Sequence, residues 1–179
     1  IKNHPLTPKT NIIYIMFISI SIFIPTIFII IKDFFNENIL SLKHLQELTI
    51  MPILGGIKHS DENSSLVVLK KPKSAISEAF RGVRINLEYM TTEKEKKIIC
   101  VTSSISGEGK TFCSINIAAV LSLSNKTLLI GSDLRRPKMF SELGLNNNKG
   151  LSNFLIGKET LNNVIHKNIF KNLDIISSG

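Results

Sequence analysis

Thr102-Ser103-Ser104-Ile105-Ser106-Gly107-Glu108-Gly109-Lys110-Thr111 is the stretch on which the reading of this chain turns. An apolar run, Lys97 to Thr102 (KIICVT), leads into it, and Phe112 to Leu123 follows with apolar residues at helical spacing. Strand, glycine-bearing loop and helix in that order predict a phosphate-binding loop of the general form G-x-x-x-x-G-K-[ST]. Ser104 stands where the first glycine belongs, while Gly109, Lys110 and Thr111 match. Gly107 and Gly109 let the backbone curl so that successive amides face one anion. Ser106, Glu108 and Phe112 complete the candidate cradle, and the helix start adds its positive end to the same spot. Lys110 is then expected to reach the β- and γ-phosphates of ATP, and the Thr111 hydroxyl to take a place on Mg²⁺.

Downstream, Thr127 to Ile130 (TLLI) reads as a second buried strand and Leu173 to Ile176 (LDII) as a third, with short helices at Leu151 to Ile156 and Leu161 to His166. Continuous apolar strands alternating with helices predict an α/β fold: a P-loop NTPase-like parallel sheet covered by helices on both faces. Ligands of such sheets gather at the carboxyl ends of the strands. Asp133, just past the second strand, is therefore expected to face the nucleotide and its magnesium, directly or through water. Arg135 and Arg136 either contact phosphate or decorate the loop. Cys100 and Cys113 lack metal-ligand spacing and are expected to be small buried residues. His4, His44, His59 and His166 are scattered and receive no role.

Upstream, Ser74 reads as the N-cap of a helix reaching about Met90, with an apolar stripe at Ala75, Ile76, Ala79, Phe80, Val83, Leu87 and Met90. Glu78, Arg81 and Arg84 trace a charged ridge beside that stripe. By charge and spacing alone the ridge is a solvated helix face with a weak ion pair. Phe34 to about Leu48 reads as a further short amphipathic helix, and His59 to Ser65 as a polar loop. From Thr10 to Ile31 the chain carries no charged side chain, which predicts a membrane-spanning helix, since about 20 residues cross the hydrocarbon layer. Ser19, Ser21 and Thr26 are expected to bond back to that helix, and Pro25 is tolerated there. The net charge is +8 over 179 residues, but no aromatic residues interleave with the lysine clusters. Lys70, Lys71 and Lys73 suit anionic headgroups or plain solvation, and no nucleic-acid partner is expected. Lys2 and Lys9 before the span and Lys32 and Lys43 after it give only a weak charge bias. The orientation is set instead by the nucleotide site, which must face the ATP-containing cytoplasm.

Taken together these motifs resemble the bacterial tyrosine kinases fused to polysaccharide co-polymerases, membrane proteins that help control chain length and export of capsule or exopolysaccharide. Pro5-Leu6-Thr7-Pro8-Lys9 resembles the approach to that family's second membrane helix, and Glu47-Leu48 through Pro52-Ile53-Leu54-Gly55 its linker. Glu78-Ala79-Phe80-Arg81-Gly82-Val83-Arg84 is similar to the family's ExxRxxR oligomerisation helix, Thr102 to Thr111 to its Walker A loop, and Asp133-Leu134-Arg135-Arg136-Pro137 to its Walker A′ motif. Gly150-Leu151-Ser152 with Phe154-Leu155 and Gly157 resembles the family's next helix. The resemblance implies an ATP- and Mg²⁺-dependent tyrosine autokinase with Lys110 and Asp133 as catalytic residues. It further implies a homo-oligomer built through Glu78, Arg81 and Arg84, working with the polysaccharide polymerisation and export machinery in the bacterial inner membrane. The expected division is an extracytoplasmic end at 1–9, a span at 10–31, a cytoplasmic linker at 32–73 and the ATP-binding domain at 74–179, with both ends of the parent lying outside this piece, which is expected to be inactive alone. Gly131 departs from the pattern, because the family's D-x-D carries an aspartate there. That departure keeps open a non-kinase co-polymerase that uses ATP binding as an assembly switch. A deviant-Walker ATPase of the Par/Min kind is a third reading, opposed by the membrane helix.

Overall fold

The computed structural model describes residues 10–35, 41–60, 64–90 and 97–179; the expectations for residues 1–9, Pro5 to Lys9 among them, lie outside these. The chain divides into two compact units, Ile1–Met51 and Pro52–Gly179.

In the first unit, α1 (Thr10–Phe34) runs for 25 residues and is long and apolar enough to cross a membrane. The Ser19 and Thr26 hydroxyls donate to the carbonyls of Ile15 and Ile22 at 2.8 and 2.7 Å. Such back-bonding hides a hydroxyl inside the helix, which is how an apolar span carries it without an unmet hydrogen bond. The helix continues through Lys32 and Asp33, beyond the charge-free stretch. A second helix, α2 (Leu42–Leu48), starts at Ser41, whose side chain accepts from the His44 amide at 3.1 Å. Of the helix expected from Phe34 to Leu48, residues 36–40 lie outside the described residues, and the described remainder has a break and a fresh cap at Ser41.

The second unit begins with α3 (Val67–Lys70) and α4 (Ala75–Met90). The expected cap holds: the Ser74 hydroxyl accepts from the Ser77 amide at 3.2 Å. The helix α5 (Lys110–Ser122), the strand β1 (Thr127–Ile130) and the short helices α6 (Met139–Leu143), α7 (Leu151–Leu155) and α8 (Leu161–Val164) follow, then β2 (Ile165–Phe170) and β3 (Leu173–Ile176). Phe80 of α4 and Ile115, Ala119 and Val120 of α5 are fully buried against Leu173 and Ile175 of β3. The rings of Phe80 and Phe112 meet with centroids 5.8 Å apart, joining α4 to the start of α5.

The sheet has the order β1-β3-β2. Strand β1 pairs parallel with β3, from Thr127 opposite Leu173 to Ile130 opposite Ile176. Strand β2, however, is antiparallel to β3, so the sheet is mixed and not purely parallel as expected. The cause is a hairpin: Asn172 takes a left-handed φ of 60° at the turn, a conformation asparagine tolerates better than most residues. That hairpin also corrects the helix expected over Leu161 to His166. It stops at Val164, and Ile165 and His166 join β2 because cross-strand pairing with β3 outweighs local preference.

Two further expectations fail. Lys97 to Thr102 forms no strand, and Ile98 is fully exposed. A strand needs a neighbour to complete its ladder, and no strand lies alongside this segment among the described residues. For the same reason β1 is an edge strand there, with Leu128 and Ile130 each 46% exposed, where burial was expected. Cys100 shares that exposure and is not the buried residue foreseen; Cys113 is half-buried, and burial pushes its thiol pKa up.

Candidate phosphate site

The loop between Thr102 and α5 has the backbone its glycines were expected to permit. Gly107 and Gly109 have φ of 96° and 86°, a region that costs a residue with a Cβ energy and glycine little. No atom lies within 4 Å of where a Cβ would sit at either glycine, so conformation and not space requires them. Gly109 is the N-cap of α5 and supplies no side-chain cap. The first helical bond runs from the Cys113 amide to the Gly109 carbonyl at 2.9 Å. The amides of Lys110, Thr111 and Phe112 therefore precede the ladder and point out of the positive end of a 13-residue helix. This is a cradle suited to an anion with several oxygens.

Across the cradle lies the end of β1. Gly131 extends the ladder by one more bond, its amide donating to the Ile176 carbonyl at 2.9 Å. Two residues on, Asp133 holds a carboxylate oxygen 3.7 Å from the Lys110 ammonium, and the two side chains are 44% and 40% exposed. The Arg136 amide donates to the other oxygen at 3.1 Å. That amide is the chief cause of a lowered Asp133 pKa; desolvation opposes it, and the Lys110 charge and the Arg135 amide lower it further. A hydroxyl from β3's far end completes the arrangement, Ser178 donating to the Asp133 carbonyl at 3.2 Å. The sequence expectations for Gly107, Gly109, Lys110 and Asp133 thus converge on one place.

The residues present suit a magnesium nucleotide in a limited way. Among the described residues no group of three or more His, Cys, Asp or Glu side chains forms a metal cage. Mg²⁺ bound by phosphate oxygens needs few protein donors and keeps several waters, and a hydroxyl such as that of Thr111 and a carboxylate such as that of Asp133 are donors of the type it takes. Gly131 adds none. A Cβ there would come to 2.7 Å from the Met139 methyl, which occupies the space.

The charged ridge of α4 divides into pairs. Arg81 bonds to Glu78, while Arg84 lies 3.6 Å from Glu88 and donates to the Ser124 hydroxyl at 3.2 Å. Glu78 remains largely exposed, Arg81 is half-buried, and Arg84 is anchored on its own chain.

Asn116 is a residue that reading the sequence passed over. Fully buried on α5, it accepts from the Val68 amide at 3.0 Å and donates to the carbonyls of Ser65 and Phe112 at 2.7 and 2.9 Å. It caps α3, which has no side-chain cap of its own, and fastens the segment ahead of α4 to the helix that carries the cradle. Its partners lie 48 and 51 residues away, so no local pattern announces it.

No protein-family model matches the chain. It is 41% identical over 117 residues to the "Putative tyrosine-protein kinase CapB" of Staphylococcus aureus, covering 65% of this chain and 51% of that one. To the "Tyrosine-protein kinase YwqD" of Bacillus subtilis (strain 168) it is 33% identical over 116 residues, covering 64% of this chain and 49% of the relative. Among solved structures, the kinase domain of the Escherichia coli tyrosine kinase ETK aligns with a TM-score of 0.68 and 30% identity over 78% of this chain and 59% of that one. The chain therefore spans about half the length of the curated relatives named here.

Proposed function

We propose, from the match of this chain to the bacterial tyrosine-kinase family, that it is the ATP-binding part of a membrane protein tyrosine autokinase. Its reaction is transfer of the γ-phosphoryl group of ATP to protein tyrosine, giving ADP and phosphotyrosine. The observation that carries this reading is the meeting of Lys110 and Asp133, 3.7 Å apart, at the open end of the loop. A cation aimed at phosphate oxygens and a carboxylate beside it for Mg²⁺ form the constellation that phosphoryl transfer needs, because catalysis there is mostly positioning and charge neutralisation. ATP supplies the phosphoryl group and the leaving group. The amides from Ser106 to Phe112 hold the phosphates, Lys110 binds their β- and γ-oxygens, and Thr111 and Asp133 orient the metal. The acceptor tyrosine comes from a neighbouring subunit of a homo-oligomer joined through Glu78, Arg81 and Arg84.

We assign the protein to the bacterial inner membrane, with α1 as the span and the phosphate loop in the cytoplasm where ATP is. The process is capsular or exopolysaccharide biosynthesis and export, with the polymerisation machinery as partner. The division into residues 1–9, 10–31, 32–73 and 74–179 belongs to the same proposal. The kinase names of the relatives favour this reading over an assembly switch without transfer.

The test is γ-³²P transfer to tyrosine by the full-length protein in inverted and right-side-out membrane vesicles. Label should appear on tyrosine in inverted vesicles only and be lost in Lys110→Ala. No transfer by wild type in either orientation refutes the kinase; label in right-side-out vesicles alone refutes the topology.

A further inference from the structure

The phosphate loop contains one charged side chain besides Lys110, and the phosphate-holding role assigned above uses only its amide. The Glu108 carboxylate folds back across the neck of the loop, where one oxygen accepts from the amides of Ser104 and Ile105 at 3.0 and 3.2 Å. Close by, the Ser103 hydroxyl donates to the Ile105 carbonyl at 3.0 Å. The bonds of Glu108 tie residue 108, inside the curl, to residues 104 and 105, where the curl begins.

The need for such a tie follows from the loop's own composition. Two glycines at positive φ make the curl accessible, yet glycine also has the most conformational freedom to lose. Ser104 occupies the place of a third glycine. A loop that must aim several amides at one anion binds better when that geometry exists beforehand. A carboxylate oxygen shared by two amides supplies it, and charge-assisted bonds to backbone amides are among the stronger ones available at an exposed site.

We infer that Glu108 is a positioning residue: its side chain closes the phosphate loop on itself and so holds the amides from Gly107 to Thr111 in the arrangement that receives phosphate. The amides it takes belong to Ser104 and Ile105, before the curl, so it leaves those of the cradle free for the ligand. This places Glu108 as a brace and not as a competitor of the phosphate. The inference rests on the nucleotide-binding reading given above.

The experiment measures Mg·ATP affinity of the full-length protein in detergent for wild type, Glu108→Gln, Glu108→Ala and Lys110→Ala. A glutamine side-chain oxygen still accepts from both amides; an alanine methyl accepts from neither. Glu108→Ala should weaken binding about tenfold, and Glu108→Gln should restore it to within about threefold of wild type. The thermal unfolding midpoint of the nucleotide-free protein should stay with wild type in both variants, because the carboxylate is exposed and the core is not touched. Equal or tighter binding by Glu108→Ala overturns the brace, and tighter binding would mark the carboxylate as an internal competitor. Equal loss in Glu108→Gln and Glu108→Ala also overturns it, assigning the effect to charge alone. Wild type that binds no Mg·ATP, with Lys110→Ala no different, refutes the underlying reading instead.

Discussion

Replacing Asn116 by leucine should loosen the segment ahead of α4 while leaving α5 a helix. Leucine has the same side-chain branching and is a better helix former than asparagine, so the perturbation is the loss of three hydrogen bonds, one of them to a carbonyl that has a second partner, and not a broken helix. The Phe112 carbonyl keeps its helical partner, the amide four residues on. The Val68 amide and the Ser65 carbonyl lose theirs. Val68 is only 2% exposed, so its amide bears most of the cost of an unmet buried donor, about 1–3 kcal/mol. Ser65 is half-buried, and its carbonyl regains some water, adding roughly 1 kcal/mol or less. The sum is about 1–4 kcal/mol for opening of residues 64–70, or a rise of roughly 5- to 700-fold in the open population at about 1.4 kcal/mol per tenfold. Hydrogen exchange read by mass spectrometry on the full chain in detergent resolves this, because local opening and global unfolding have separate free energies. Peptides covering residues 64–70 should exchange at least about fivefold faster than in wild type, and α5 peptides should change far less. If the Val68 amide exchanges as in wild type, the reasoning fails, since a buried donor cannot lose its partner without consequence.

Asp133 offers a titration. Its folded carboxyl pKa lies below that of a free aspartate, first because the Arg136 amide donates to the charged form. A depressed folded pKa means a contribution to stability that is complete above the unfolded value and lost as pH falls through the lower folded value. The carboxyl carbon resonance should therefore have its midpoint below that of an unstructured aspartate, and a midpoint at or above it would contradict the turn geometry. Arg81→Glu places two like charges one helical turn apart at the exposed Glu78 pair. It should lower the oligomer mass measured by light scattering while Glu78→Arg with Arg81→Glu restores it in part; an unchanged mass removes the ridge from the subunit contact.

Legibility followed the range of the forces involved. The Ser74 cap, the extent of α4 and α5, and the left-handed glycines were legible because caps, helical periodicity and φ preferences act within a few residues. The pairing of Lys110 with Asp133 was legible at one remove, since a crossover from loop to strand end is a rule of such sheets and not a local preference. Lys97 to Thr102 was misread because its apolar run carries strand propensity but no partner for its ladder. His166 was misread because helical spacing over six residues cannot compete with a hairpin that closes on β3.

By itself, then, the order of residues determined a charge-free stretch able to cross a membrane, a glycine curl opening a helix, and an acid beyond the next strand. Each depends on backbone stereochemistry or on polarity along the chain, which any short segment carries with it. Only the tertiary structure decided that Asn116 caps a helix 48 residues away and that Met139 takes the space beside Gly131. It alone decided as well which way β2 runs. Those outcomes depend on which buried groups find partners once distant segments meet, and that choice is made by packing and hydrogen-bond satisfaction across the fold.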